Sequence, residues 1–208
     1  LSKAMEQMDF DGAYVADLLG QLADGSALLV GNSLPVRHMD QFGQPNRKSI
    51  RVFGNRGASG IDGNISTGLG IAVDGNHPTT ILTGDITFYH DSNGLLALRN
   101  LSASGISFVV LNNDGGGIFQ RLPIANFDPP FSELFQASHG LDLSSIAHTY
   151  DLDYHRPQNR KDMQVLFSAA PIQEKARLIE IKTDPVQDNQ NRDALESLVS
   201  HNLTHIWE

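Results

Sequence analysis

Two polar clusters in the middle of the chain have residue types that could hold a metal ion and a phosphate group. Asp85 follows a short apolar run (Thr79–Thr83), and Asn112 and Asn113, with three nearby glycines, follow a longer one (Ile106–Leu111). The 26 residues between Asp85 and Asn112 are enough for one helix and one strand, as a right-handed parallel crossover requires. Both clusters are therefore predicted at the carboxyl edge of one sheet, where open α/β folds bind ligands.

The oxygen atoms of these clusters suit Mg²⁺, which binds few protein oxygens and completes its shell with phosphate and water. Asp85 offers a carboxylate, Asn113 an amide oxygen and the glycine turn a carbonyl oxygen, that of Gly115. A helix predicted through Leu95–Leu101 would add amides for phosphate oxygens. The alternative is an ordinary strand–turn–helix with a surface Asp and Asn, but the two clusters at this spacing favour a metal site.

Two further segments carry arginines at predicted strand ends. In the first, Ser33 and Arg37 could contact a ligand, or Ser33 could cap the next helix while Arg37 is a solvated cation. In the second, Arg56 lies in a glycine-rich turn where its planar fork could bind a carboxylate. The alternative for that segment is a plain turn with Asp62 as the helix N-cap.

The composition is that of a globular protein with room for a sizeable core. The chain has 208 residues, 40 % apolar and 19 % charged, with a net charge of −9. The absence of a basic tract argues against a nucleic-acid partner, because phosphate neutralisation needs clustered Lys and Arg. No apolar run approaches the roughly 20 residues of a membrane span.

The absence of cysteine excludes disulfides and thiolate chemistry and favours a cytoplasmic location. The first residues lack both the apolar core of a signal peptide and an initiator Met. We therefore expect residues 1–208 to be one domain excised from a longer chain.

None of the eight histidines has a metal-binding partner at helical or hairpin spacing, and His90-Asp91 is predicted to begin a helix.

Apolar periodicity and turn residues predict alternating strands and helices. The pattern indicates an α/β fold with a parallel sheet of about six strands and helices on both faces. Asp142 is predicted to cap a helix, and a short helix is expected after Pro129-Pro130. The identified strands are 27–30, 50–53, 79–83, 106–111 and 176–181, and the identified helices are 8–23, 35–42, 64–73, 95–101, 142–150, 160–170 and 192–203.

Four segments together resemble the thiamine-diphosphate-dependent enzymes. GDITFYHDSNGL and NNDGGGIF contain the superfamily's cofactor motif, GD followed after 26 residues by NN. With NSLPVR and NRGASGIDG, they resemble the MenD-type branch, the 2-succinyl-5-enolpyruvyl-6-hydroxy-3-cyclohexene-1-carboxylate synthases. The glycine that usually occupies the third position of this motif, directly after GD, is replaced here by Ile86.

This resemblance assigns roles to residues of the four segments. It implies the diphosphate-binding (PP-type) fold, thiamine diphosphate as cofactor, and Mg²⁺, with Mn²⁺ as the alternative ion, held by Asp85, Asn113 and Gly115. It implies that Ile61 supports the bent cofactor and that the Ser59 carbonyl meets its aminopyrimidine. The implied cofactor-binding set is Gly84, Asp85, Ile86, Ser59, Ile61, Asn113, Gly115 and Gly116, and the implied substrate-binding set is Ser33, Arg37, Arg56, Ile118 and Phe119.

The implied reaction is decarboxylation of 2-oxoglutarate followed by addition of the resulting unit to isochorismate in menaquinone biosynthesis. The implied partner is a pyrimidine-binding domain of a second subunit in a homodimer or homotetramer. Because the activating glutamate would belong to that domain, this domain alone is expected to fold without turning over substrate. The alternatives are an acetolactate-type synthase, whose uncharged acceptor needs no arginines, and a non-catalytic cofactor-binding module.

Overall fold

The computed structural model describes residues 2–5, 7–74, 77–168 and 175–204. The described residues form a six-stranded, all-parallel sheet of order β2-β1-β3-β4-β6-β5 with helices around it, which confirms the predicted fold class. The strands are β1 Ala27–Val30, β2 Arg51–Phe53, β3 Thr79–Gly84, β4 Ile106–Asn112, β5 Asp153–His155 and β6 Arg177–Lys182.

The helices lie between the strands in the expected order. They are α1 Ser2–Met5, α2 Asp11–Gln21, α3 Leu34–Phe42, α4 Asn64–Asp74, α5 Asp85–His90, α6 Leu143–Thr149, α7 Arg160–Ser168 and α8 Pro185–Thr204, with 3₁₀ turns at Ser92–Asn100, Gly117–Arg121 and Pro123–Asn126 and a π-helical turn at Phe131–Gln136. Residues 169–170 of the predicted helix 160–170 lie outside the described residues. Among the described residues, every helix is too short or too polar to cross a membrane.

The central strands are buried on both faces, which explains their continuous apolar sequences. Successive residues alternate between two core clusters, so that Ile81 packs on one face of the sheet and Leu82 on the other. In β4, Phe108 and Val109 alternate in the same way. The first cluster also contains Ile65, Phe88 and Leu143, and the second contains Leu18, Leu28 and Met163.

The register of β3 and β4 brings the two polar clusters together. Gly84 pairs with Leu111, so Asp85 and Asn112 both follow directly at the carboxyl edge of the sheet. This placement agrees with the parallel crossover predicted from the spacing of the two clusters.

The crossover itself differs from the prediction of a helix through 95–101. A six-residue α-helix, α5, begins at Asp85, and a 3₁₀ segment covers Ser92–Asn100. His90 ends α5 and Asp91 is the N-cap residue of the 3₁₀ segment, so the predicted helix start at His90-Asp91 leads into a 3₁₀ helix and not an α-helix. Instead, Asp91 Oδ2 accepts hydrogen bonds from the Ile65 and Ser66 amides at the start of α4. Asp91 thus caps the N-terminus of α4, a role that the sequence analysis considered for Asp62.

Two other elements differ from the sequence-based prediction. Strand β5 is three residues of half-buried DYH beside β6, too short to show a strand periodicity. Helix α8 begins at Pro185 rather than near 192, because Asp184 Oδ1 accepts hydrogen bonds from the Val186 and Gln187 amides. The signal for that start, a capping Asp before a Pro, is present in the sequence. Asp142 caps α6 through the Ser144 amide, as predicted.

Helix α4 lies so close to the sheet that only glycine fits at position 68. A Cβ there would lie 2.3 Å from Ile81 Cγ1, whereas a Cβ at Gly70 of the same helix would meet nothing within 4 Å. We expect Gly68→Ala to lower the free energy of unfolding by about 1–3 kcal/mol through overpacking. Gly70→Ala, the matched control, should be neutral or stabilising by up to about 1 kcal/mol. Urea unfolding of the full-length protein would measure both, and equal midpoints for the two variants would contradict the packing described.

Candidate functional site

A cavity of about 260 Å³ opens at the carboxyl edge of the sheet, above the ends of β3 and β4. Its lining also includes Asp11, which the sequence analysis did not identify. The predicted site residues that line it are Ser33, Ile61, Gly84, Asp85, Ile86, Asn113, Gly115, Gly116, Ile118 and Phe119. Three other predicted residues, Ser59, Arg37 and Arg56, are exposed and lie outside this lining.

The Asp85 carboxylate is buried and links the two strand ends. Its Oδ2 accepts a hydrogen bond of 2.9 Å from the Gly115 amide, and its Oδ1 accepts one of 2.7 Å from the Ile86 amide. The Ile86 amide is therefore already used within the protein. Phosphate binding by the amides of the helix expected through Leu95–Leu101 stays a prediction.

A histidine contacts Asp85, a contact that the sequence analysis, which considered only helical and hairpin spacing, did not identify. The Nε2 atom of His139 lies 3.1 Å from Asp85 Oδ2. The Leu141 amide donates to Nδ1 of the same ring, so the proton of the neutral imidazole is on Nε2 and is donated to Asp85. Asp114 Oδ1 lies 3.4 Å from Nδ1, but that nitrogen is already an acceptor, so we do not count this approach as an ion pair. Local spacing could not show the contact, because 54 residues separate His139 from Asp85.

The two adjacent asparagines have different environments. Both ends of the Asn112 amide are hydrogen-bonded within the protein: Nδ2 donates to Glu180 and Oδ1 accepts from the Asp114 amide. Glu180 is itself buried and also accepts from the Tyr154 hydroxyl. By contrast, Asn113 Oδ1 is buried and accepts no hydrogen bond from any described residue. A buried acceptor without a partner is costly, so Asn113 is the member of the pair suited to bind a ligand.

The three glycines after Asp114 are required by close contacts, with backbone at Gly115 and Gly116 and with the Asn113 side chain at Gly117. A Cβ at Gly115 would lie 2.2 Å from the Gln136 carbonyl oxygen, and one at Gly116 would lie 2.3 Å from that of Phe135. Gly115 also has φ of +130°, a conformation that side chains disfavour. A Cβ at Gly117 would lie 2.8 Å from Asn113 Nδ2, so the Asn113 amide packs directly against this glycine.

The oxygen atoms at this edge fit a hard divalent cation. The carboxylate of Asp85, the unpartnered amide oxygen of Asn113 and the carbonyl of Gly115 are the oxygen types that Mg²⁺ prefers. The Gly115 carbonyl accepts one bond, from the Gly117 amide, which leaves its second lone pair free.

The two predicted arginines lie at the rim, beyond the ends of β1 and β2. Arg37 is exposed and donates to the Ser33 carbonyl oxygen at 2.7 Å, and Arg56 is exposed and donates to Asn32 Oδ1 at 2.6 Å. Ser33 occupies the N-cap position of α3, as the alternative interpretation expected, but it has φ of +71° and its side chain makes no capping bond. Its side chain lines the cavity instead.

A buried cluster of Asp11, His38 and Asp188 lies beneath the cavity and was not predicted. All three side chains are at most 5 % exposed. Burial, and after it the charge of Asp188, raise the pKa of Asp11 to about 8. Burial, with the positive charges of Arg121 and Arg192, lowers the pKa of His38 to about 3. No sequence signal points to this cluster, because its members come from three helices far apart in the chain.

Comparison with known proteins relates the chain to one group of synthases. Over 187 residues it is 50 % identical to the 2-succinyl-5-enolpyruvyl-6-hydroxy-3-cyclohexene-1-carboxylate synthase of Roseiflexus sp. (strain RS-1), covering 89 % of this chain and 32 % of that protein. Synthases of the same name from Natronomonas pharaonis and Desulfitobacterium hafniense are each 40 % identical over 193 residues, 93 % of this chain and 33–34 % of theirs. The chain is a relative of the MenD-type synthases. It spans about a third of their length, and no family model matches it.

Solved structures with the same fold come from the wider group of thiamine-diphosphate enzymes. Benzoylformate decarboxylase from Polynucleobacter necessarius aligns with a TM-score of 0.67 at 17 % identity, over 84 % of this chain and 33 % of that one. A putative thiamin diphosphate-dependent enzyme from Mycobacterium smegmatis aligns with a TM-score of 0.65 at 18 % identity, over 85 % and 32 %. At these identities the alignments establish the fold, whereas the relation to MenD-type synthases comes from sequence.

His139 connects the loop that contains it to the site, and its removal should loosen that loop. We expect His139→Ala to raise amide exchange in residues 137–142 by roughly tenfold, since one hydrogen bond to a carboxylate is lost. His148→Ala, at an exposed position on α6, is the matched control. Hydrogen exchange by mass spectrometry on the full-length protein would measure both. Unchanged exchange in 137–142 would contradict the contact.

Proposed function

We propose that the chain is the diphosphate-binding domain of a MenD-type synthase and that it holds thiamine diphosphate through Mg²⁺, or Mn²⁺ in its place. The observation that carries this proposal is the buried, unpartnered Asn113 Oδ1 beside Asp85, at the carboxyl edge of a chain half identical to such a synthase. The metal ligands proposed are Asp85, Asn113 and the Gly115 carbonyl. When bound, the cofactor would supply the electron sink for decarboxylation of a 2-oxo acid.

The remaining cavity residues would approach the cofactor from several sides. Gly84 and Gly116 allow close approach of the backbone, and Ile86 occupies the position where the motif usually has glycine. Ile61 is proposed to support the bent cofactor, with the Ser59 carbonyl meeting its aminopyrimidine. Ile118 and Phe119 add an apolar wall that would exclude water from the reacting centre.

The proposed substrates are 2-oxoglutarate and isochorismate, each of which carries two carboxylates. Arg37 and Arg56 each keep further guanidinium N–H groups beyond the one that binds the protein backbone or Asn32. From the rim, they could orient carboxylates above a floor built for diphosphate, and Ser33 would add a hydroxyl. An acetolactate-type function has no such use for two arginines.

A pyrimidine-binding domain, from a second subunit of a cytoplasmic homodimer or homotetramer, is proposed to complete the site. It would provide the glutamate that activates the cofactor, so we expect this domain by itself to be inactive. Exposed apolar side chains near the cavity support a protein partner. Phe119, Leu122, Phe127 and Leu134, in or beside the 3₁₀ and π-helical turns after β4, are 37–68 % exposed.

The metal assignment predicts that Asp85→Ala abolishes Mg²⁺-dependent cofactor binding, because Asp85 is the single anionic ligand proposed. Calorimetric titration of thiamine diphosphate into the full-length protein, with and without Mg²⁺, is the measurement. Asp40→Ala, at an exposed position on α3, is the matched control and should bind like the wild type. An Asp85→Ala protein with unchanged Mg²⁺-dependent affinity would refute the assignment.

The substrate assignment predicts a different pattern for the two arginines. Arg37→Ala or Arg56→Ala should lower kcat/KM by roughly ten- to a hundredfold, because a charge-assisted hydrogen bond is worth about 1.5–3 kcal/mol. Cofactor affinity should stay near normal, because the arginines lie outside the cavity lining. Steady-state kinetics with each substrate varied would assign each arginine to one substrate.

Arg51→Ala is the control for the arginine variants, since Arg51 is exposed and starts β2, at the opposite edge of the sheet. If both rim variants match the Arg51→Ala protein in KM and kcat, Arg37 and Arg56 are surface cations without a role in substrate binding.

A further inference from the structure

The side chain of Asp11 touches the proposed metal ligand Asn113 from below the cavity. Asn113 Nδ2 donates to Asp11 Oδ2 across 3.4 Å, a long hydrogen bond between two buried groups. Asp11 is in turn fixed at two points: its Oδ1 accepts from the Thr183 hydroxyl at 2.7 Å, and its own amide donates to Asp188 Oδ1 at 2.7 Å. A chain of contacts therefore runs from the start of α8, through the start of α2, to the end of β4.

An asparagine amide is planar, with a donor at one end and an acceptor at the other, so fixing one end fixes both. Because Asp11 presents an acceptor, Nδ2 faces Asp11, and Oδ1 is turned away from it. A flipped amide would set two oxygen acceptors against each other whenever Asp11 Oδ2 carries no proton. We propose that Asp11 is a positioning residue that turns the Asn113 amide so that its oxygen can bind the cation. This inference rests on the proposed function, in which Asn113 is a ligand.

Two other contacts show why the orientation depends on Asp11. Gly117 packs against the amide at a distance that leaves no room for a Cβ, so it fixes where the amide lies but not which end is the oxygen. Asn112 cannot contribute, because its own side chain is used by Glu180 and Asp114. The Asn113 amide needs one lone pair on Asp11 Oδ2, which both the neutral and the ionised carboxyl group provide.

The same cluster could instead be considered as a second cation site. Asp11, His38 and Asp188 each offer a ligand atom, and these atoms lie within 4.8 Å of one another. Burial and, after it, the positive charges of Arg121 and Arg192 lower the pKa of His38, however, and the same charges oppose a cation. The observations therefore favour positioning over direct ligation.

The test is a titration of the full-length protein with Mn²⁺ at saturating thiamine diphosphate, with free Mn²⁺ followed by electron paramagnetic resonance. Loss of a residue that orients a metal ligand typically lowers metal affinity by about ten- to a hundredfold. We expect that loss for Asp11→Ala. Asp11→Asn should bind nearly as the wild type, because its amide oxygen can face Asn113 while its nitrogen faces the Thr183 hydroxyl.

Three further variants make the result specific. In an Asn113→Ala background, Asp11→Ala should cause no additional loss, since a positioning residue acts only through the residue that it orients. Asp17→Ala, on the same helix but paired with Arg160, is the matched control and should leave Mn²⁺ affinity unchanged. Asp11→Ser, whose hydroxyl is too short to reach Asn113, should weaken binding as Ala does and replaces Asp11→Ala if that variant fails to fold.

The outcomes separate this inference from the proposed function. If the wild type binds no Mn²⁺ with the cofactor, or Asn113→Ala binds as the wild type does, the proposed function fails. If Asn113→Ala loses the metal but Asp11→Ala and Asp11→Ser keep it, the positioning role of Asp11 is refuted while the function stands. Equal losses in Asp11→Asn and Asp11→Ala would also refute it. The positioning role would also be refuted if the wild type bound a second Mn²⁺ per chain and His38→Ala lost it, because Asp11, His38 and Asp188 would then be a metal site.

Discussion

The hydrogen bond from the Gly115 amide to the Asp85 carboxylate joins the ends of two neighbouring strands, and the rest of the site depends on it. It requires the parallel register that places Gly84 beside Leu111. It also requires the unusual backbone of Gly115, which brings its amide against Asp85 while the 131–136 turn packs on the glycines. His139 then binds the other side of Asp85 Oδ2. One carboxylate thus organises two loops and the cavity between them.

The adjacent asparagines illustrate how a buried polar motif can divide structure from function. Asn112 is bonded at both ends of its amide, to Glu180 and to the turn after the strand. These bonds hold the strand end, since a buried hydrogen-bonded network tolerates little movement. Asn113 is left with an unpartnered oxygen and therefore with capacity for a ligand. A rigid residue such as Asn112 next to a candidate ligand such as Asn113 is the arrangement that precise metal binding needs.

Charged residues form two layers around the proposed metal ligands. In the lower layer, Asp11 and Asp188 are buried near Arg121 and Arg192, together with a neutral His38. In the upper layer, Arg37 and Arg56 are exposed at the ends of two strands, and each donates one side-chain hydrogen bond to another of the described residues. The lower layer is suited to fix geometry, because Asp11 is buried and is bonded to Asp188, Thr183 and Asn113. The upper layer is suited to meet anionic ligands, because its donors face solvent.

The sequence alone determined the parallel α/β sheet, most strand positions, the Asp142 cap and the meeting of Asp85 with Asn113 at one edge. These follow from periodicity and crossover length, which act over tens of residues. Only the tertiary structure decided that Asp91 caps α4, that DYH pairs as β5, that His139 binds Asp85, and that Asp11 supports Asn113. The last two contacts join residues 54 and 102 positions apart. Such partners are chosen by how packed elements bring side chains together, and no local pattern records that choice.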